Sequence, residues 1–395
     1  MKDKLWQTKT SGLLHPLVET YTVGNDYQLD QQLLGYDITA TKAHVVMLES
    51  IGILTTSELN KLLKALDTLH QEWLSGVFEV TSDHEDGHTA IELYLTHKLG
   101  RIGKKVHTGR SRNDQALVMM RLYLKDSLQH VSVLVEELVG AYNIAADKAG
   151  KTPMPGYTHT QKAMPTTVAT WLSSFQAGFS DVEALIKATS DLIDQNPLGS
   201  AAGFGVSLAI DRELTTKNLQ FQKTQDNPMY CGLSRGLFEL MSVQVLNPLM
   251  VLAGKFAQDM LMFTSQEFNF FRLPDNLTTG SSIMPHKRNY DLFEIMRGQA
   301  HAFSGYSHQL QAIAGGTGSG YNRDLQLTKS VTLTAFDTAK VTLETLALAV
   351  SCLKLNKANL KASMTSELYT VAAINKLVGA GMPFRDAYLK VKLLQ

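Results

Sequence analysis

DQALVMMRLYLKDSLQHVSVLVEELVGAYNIAADK, residues 114 to 148, is the stretch that decides the fold. Leu117, Leu124, Leu128, Val131, Val135, Leu138 and Tyr142 recur at helical spacing with no proline among them, so the segment reads as one helix of well over the usual length. Comparable patterns run over 166–194, 235–263, 291–313 and 327–353. Helices this long bury their apolar stripes most readily side by side, which predicts an all-α subunit built as a long-helix bundle. The only alternating apolar run is VFEV at 77–80, short and alone. Working outward from the long helices, three domains are expected: a helical N-terminal domain over 1–105, a central bundle over 106–353, and a C-terminal helical domain over 354–395.

A chain of 395 residues can bury about three quarters of its unfolded surface. Lysine plus arginine and aspartate plus glutamate both number 37, so there is no basic field to draw nucleic acid or a membrane surface. A charged ligand has to be caught locally. The two cysteines, Cys231 and Cys352, form no paired motif, which points to a reducing, cytoplasmic setting. MKDKLWQTKT at the start lacks the apolar core of a secretory signal. The most apolar stretch, 237–263, carries Glu239, Gln244, Asn247, Lys255 and Asp259; it reads as a buried helix kinked at Pro248 and not as a lipid-facing span.

Chemistry-bearing residues gather between the helices. HTGRSRNDQ (107–115) sets Arg110, Arg112, Asn113 and Asp114 at a helix start, where arginine forks and free amides suit anions, although Asn113 or Asp114 also serves as an ordinary cap. GYTHTQ (156–161) presents His159, a group able to hold or release a proton near neutral pH, or simply a polar surface residue. DHEDGHTAIE (83–92) places His84 and His88 four apart, but it is not HExxH and offers no third ligand, so no metal site is expected. GGTGSG (315–320) lacks the lysine of a phosphate loop and reads as a flexible connection. YNRDLQLTK (321–329) lines up Tyr321, Asn322, Gln326 and Lys329 at a helix entrance, suited to a polar ligand or to solvent. GSSIMPHKRN (280–289) joins two serines next to a glycine to Lys287 and Asn289, the make-up of a mobile loop able to close over a ligand.

That last loop resembles the GSSxMPxKxN signature of the fumarase, aspartase and argininosuccinate lyase superfamily. HTGRSRNDQ, GYTHTQ and YNRDLQ, in this order and spacing, are similar to the argininosuccinate lyase branch in particular. Weaker likeness in KLWQTK, EDGHTAIE, IDRE (210–213) and PFRDA (383–387) extends the resemblance over nearly the whole chain. It implies a homotetramer with a twenty-helix core, active sites built from three chains, no cofactor, and reversible β-elimination of argininosuccinate to arginine and fumarate. By resemblance Ser281 is the base, His159 takes the acid role, Glu294 pairs with that histidine, and Lys287 stabilises the charge that develops. Substrate contacts carried over are Arg112, Asn113, Thr158, Ser282, Asn289, Tyr321, Gln326 and Lys329. Asp26 stands where the family commonly has a serine; its carboxylate would repel substrate carboxylates and attract the guanidinium or amino group. His286, Arg288 and Tyr290 also depart from the commoner residues, and family members continue past PFRDA where this chain stops at KVKLLQ. A sister lyase acting on adenylosuccinate would share the serine loop but not GRSRND and YNRDLQ. A non-catalytic lens-crystallin-like role would predict loss of a catalytic residue, and all four are present.

Overall fold

A computed structural model describes residues 14–393; the KLWQTK segment and the last two residues lie outside them. Packing groups the described chain into two compact units. The first comprises residues up to 130, 186–244 and 305–336; the second comprises 131–185, 245–304 and 337 onward.

The long helices form where periodicity places them. Arg112–Ala149 runs for 38 residues, about 57 Å at 1.5 Å per residue. Val168–Ile193 and Thr328–Ser351 follow the patterns at 166–194 and 327–353. Two expected helices are interrupted. The 235–263 pattern is split into Leu237–Gln244 and Asn247–Phe263 by a turn at 245–246, with Pro248 in the first turn of the second helix, where its missing N–H costs nothing. It is also the one run among the described residues long and apolar enough to cross a membrane, and 56% of its most apolar window is buried in the protein. The 291–313 pattern divides at Phe303 into Asp291–Ala302 and Ser304–Gly315.

In the first unit, the helix Asp26–Ser50 is buried on two sides. Leu34, Ile38, Val45 and Leu48 pack with Leu62, Leu66 and Leu69 of Thr56–Leu74 and with Ala90, Ile91 and Leu95 of Gly87–Leu99. Ala40 and Ala43 pack instead with Val118, Leu198, Leu219 and Phe221. A helix hemmed in this way places its polar residues inside too, and Asp26, Asp30, Asp37, Thr41 and His44 are all buried. Each such group must find a partner.

The second unit is centred on aromatic rings. Phe256 is fully buried and meets Tyr142, Phe175 and Phe293 edge-on while stacking on Trp171 at 5.4 Å. Trp171 donates its indole N–H to Asp259 Oδ2 at 2.9 Å, which satisfies the polar atom of that ring. The VFEV stretch is not a strand. The longest strands are Pro153–Thr158 and Gln161–Thr167, an antiparallel hairpin whose prolines and threonines hide the alternation a sequence reading needs. Replacing Phe256 with alanine removes four ring contacts; the expected loss is about 3–5 kcal/mol of unfolding free energy, read from denaturant midpoints.

Candidate functional site: a charged cleft and two exposed hairpins

The HTGRSRNDQ block divides its labour. Asp114 reaches back to the Ser111 amide at 2.9 Å and also accepts from the amides of Gly199 and Ala201 at 3.0 Å, so it caps the long helix and ties down a neighbouring loop. Burial pushes its carboxyl up, against these donors and Arg110. Arg110 is buried and donates to Thr41 Oγ1 at 3.1 Å. Arg112 and Asn113 line a cleft.

That cleft lies within the first unit and encloses about 210 Å³. Asp26, Asp30, Glu85, Asp86, His88, Arg235, Tyr321, Arg323, Gln326 and Lys329 complete its charged and polar wall. Five expected substrate contacts, Arg112, Asn113, Tyr321, Gln326 and Lys329, thus meet in one place. Lys329, 4% exposed, sits 2.6 Å from both Asp26 Oδ1 and Asp30 Oδ1. Burial opposes its charge, but Asp30 and Asp26 outweigh burial and hold the ammonium above its ordinary range. Burial pushes Asp26 up in turn, with Lys329 pulling the other way. Arg112 is similarly engaged: Nη1 lies 3.4 Å from Glu85 Oε2 and 3.3 Å from Asp86 Oδ2, and Nη2 donates to Thr89 Oγ1 at 2.8 Å. Despite burial, Asp86 is drawn below the usual carboxylate range by His88 and Arg112. Gln326 donates to the carbonyls of Thr22 and Val23 at 3.2 Å, fastening the helix Pro16–Val23 beside the cleft.

His84 and His88 go separate ways. His84 Nδ1 accepts from the Thr81 amide at 3.0 Å, whereas His88 Nδ1 meets Asp37 Oδ2 at 2.6 Å. Burial disfavours the His88 charge, but Asp37 overrides it and the ring titrates above its ordinary 6.5.

The remaining expected residues belong to the second unit. Thr158 and His159 stand at the tip of the proline-flanked hairpin: Thr158 pairs with Gln161, leaving His159 and Thr160 as a two-residue turn. Both have positive φ, 53° and 60°, a geometry that favours Asn-Gly. Strain of this kind in two non-glycine residues marks a position held for a reason other than stability. The GSSIMPHKRN loop is a hairpin too, with Thr279–Gly280 paired to Arg288–Asn289. Between these strands, Ser281 Oγ accepts from the amides of Met284 at 3.1 Å and Ile283 at 3.4 Å. Ser282 and Lys287 are exposed, and Asn289 donates to Thr279 Oγ1 at 3.5 Å. His159 and Glu294 are exposed as well, and among the described residues no ion pair joins them; the histidines in ion pairs are His88 and His107.

Comparison with known proteins follows this geometry. The family model described as "Lyase" matches residues 16–305. The argininosuccinate lyase of Phocaeicola vulgatus is 39% identical over 393 residues, covering 100% of this chain and 88% of its own. That of Thermotoga neapolitana is 39% identical over 391 residues, covering 99% of this chain and 98% of its own. The chain belongs to the argininosuccinate lyase family. An EDDS lyase variant with bound fumarate superposes with a TM-score of 0.82 at 22% identity, over 97% of this chain and 76% of that one, a likeness of fold alone.

Sequence reasoning about this lyase missed Asp30, Glu85, Asp86, His88, Arg235 and Arg323 as cleft residues. Glu85, Asp86 and His88 stood in a block already singled out, and Arg323 in YNRDLQ; Arg235 sits in an apolar helical pattern and gave no signal. Because the folded His88 value is raised, the stability it contributes with Asp37 is full below pH 6.5 and is lost as pH climbs through the folded value. Asp37→Asn should therefore cost about 3–5 kcal/mol at acid pH, with the gap to wild type narrowing as pH rises, measured by urea unfolding across the neutral range.

Proposed function

We propose that this carbon–nitrogen lyase cleaves argininosuccinate to arginine and fumarate at a site assembled from more than one copy of the chain. Membership of the argininosuccinate lyase family carries the reaction. The single observation that carries the base is the pair of backbone amides donating to Ser281 Oγ. A serine hydroxyl is a poor base, and N–H donors aimed at its oxygen favour the anionic form.

In this reading Ser281 removes the carbon-bound proton beside a substrate carboxylate. The intermediate so formed concentrates negative charge, and Lys287 on the same loop supplies the compensating cation. His159 delivers a proton to the departing guanidinium, and Glu294 of another copy would orient the ring, since no such pair forms among the described residues of one chain. Thr158, Ser282 and Asn289 add donors near the reacting carbons. Arg112, Asn113, Tyr321, Gln326 and Lys329 hold the substrate from the cleft.

The oligomer rests on the second unit. Ile144, Leu185, Val251, Ile295, Val341 and Leu348 are 50–61% exposed on five of its helices, more apolar side chain than a lone subunit usually leaves in water. A homotetramer with a twenty-helix core would cover them, with 1–105, 106–353 and 354–395 as its three domains. A cytoplasmic location fits the two unbridged cysteines, Cys231 buried and Cys352 half-buried.

The test follows fumarate absorbance with argininosuccinate and with adenylosuccinate, beside light scattering for size. Turnover of the first alone by a tetramer is expected; a well-folded tetramer inert toward argininosuccinate overturns the reading. Ser281→Ala should fold and bind substrate while kcat drops about 10²–10⁴-fold; near-normal kcat would remove serine from the base role.

A further inference from the structure

His159 and Thr160 form a strained turn with little local support. Both residues have positive φ and both are exposed; the Thr160 hydroxyl donates to the His159 carbonyl at 2.6 Å, a bond within the turn itself. Backbone of this kind persists only where its surroundings over-determine it. The hairpin beneath is irregular as well. Its register slips between Pro155 and Tyr157, and a Cβ on Gly156 would stand 3.0 Å from the Met164 carbonyl oxygen. Such a bulge re-aims the strand end that follows it.

What fixes the direction of the turn lies at its base and behind both strands, all within the second unit. Two residues before His159, the half-buried Tyr157 ring meets Phe268 edge-on at 5.7 Å and Phe263 at 5.8 Å, which seats the strand end in the aromatic core. A later part of the chain holds Phe268 in turn. Asn359 Nδ2 donates to the Phe268 carbonyl at 3.3 Å, and the Asn356 amide donates to the Phe270 carbonyl at 2.8 Å. Lys354–Leu355 pairs with Phe271–Arg272 beside them. Beyond these ties the helix Lys357–Ala362 packs on Pro153–Thr158 and the turn Ser366–Tyr369 packs on Gln161–Thr167, with Leu360 and Leu368 buried. One segment, 354–369, thus backs both strands of the hairpin, and none of its residues lines the charged cleft.

We infer that residues 354–369 brace the His159 hairpin and that Tyr157 and Asn359 are positioning residues for His159. Tyr157 seats the strand that ends in the turn, and Asn359 fixes the Phe268 backbone against which that seat is made. They act through His159 and not on the substrate. A proton donor works only within hydrogen-bond reach of the atom it protonates, so a small swing of the hairpin lowers the rate.

This inference rests on the reading of His159 as the proton donor, and a double-mutant cycle on the full-length protein separates the two. Fumarate release is measured for Tyr157→Leu and Asn359→Ala, each in wild type and in His159→Asn. In wild type Tyr157→Leu should lower kcat about tenfold or more, and Asn359→Ala should lower it less. Tyr157→Phe, which keeps the ring, should restore the rate. In His159→Asn the same substitutions should cost little further, because the group they aim is gone. Loss by the same factor in both backgrounds, within about twofold, is the behaviour of residues independent of His159 and overturns the inference. Unchanged kcat in wild type overturns it too. Should Tyr157→Leu fail to fold, Asn359→Ala carries the cycle. Full activity of His159→Asn would instead sink the reading beneath it.

Discussion

Lys329 held between Asp26 and Asp30 is the contact on which the cleft depends. It joins the start of Thr328–Ser351 to the start of Asp26–Ser50, segments about 300 residues apart in sequence. A buried ammonium is tolerable only with anions against it, and two buried carboxylates only with a cation between them. Removing Lys329 leaves both carboxylates uncompensated. Asp30 Oδ2 also accepts from the Gly87 amide at 2.9 Å, so the same cluster positions the EDGHTAIE helix whose first turn supplies Asp86 and His88.

The rest of the cleft repeats this logic. Arg112 between Glu85 and Asp86, and His88 against Asp37, place ionised groups inside a helical unit by pairing them. Pairing settles which cleft cations are spent on the protein itself; among the described residues lining the cleft, Arg235 is buried with no carboxylate paired to it. In the second unit the catalytic candidates are arranged differently: Ser281, Lys287 and His159 lie between the strands of two hairpins, with Lys287 and His159 exposed and His159 and Thr160 in strained backbone, while Glu294 is exposed on the helix Asp291–Ala302. Stability gains little from residues displayed in this way, and strained backbone of this kind clusters at functional sites.

Much of the fold was legible in the sequence. An apolar residue every third or fourth position forces a helix to turn that face inward whatever surrounds it, so the helices at 112–149, 168–193 and 328–351 follow from spacing alone. The breaks at 245–246 and at Phe303 did not, because apolar periodicity continues across them. The hairpin at 153–167 was hidden for the opposite reason, since its pairing depends on a two-residue turn and not on alternation. At the site, the motif blocks named the family and five residues of the cleft, while Arg235, embedded in a stretch that reads as core, had nothing to distinguish it.

By itself the sequence determined the helical class and the family, because periodicity and motif spacing are properties of the chain. Only the tertiary structure decided which charges cancel. Whether Arg112 or Lys329 remains free to hold an anion depends on distances of 2.6 to 3.4 Å to carboxylates brought in from elsewhere in the sequence, and electrostatic energy is set by separation in space, not by separation along the chain.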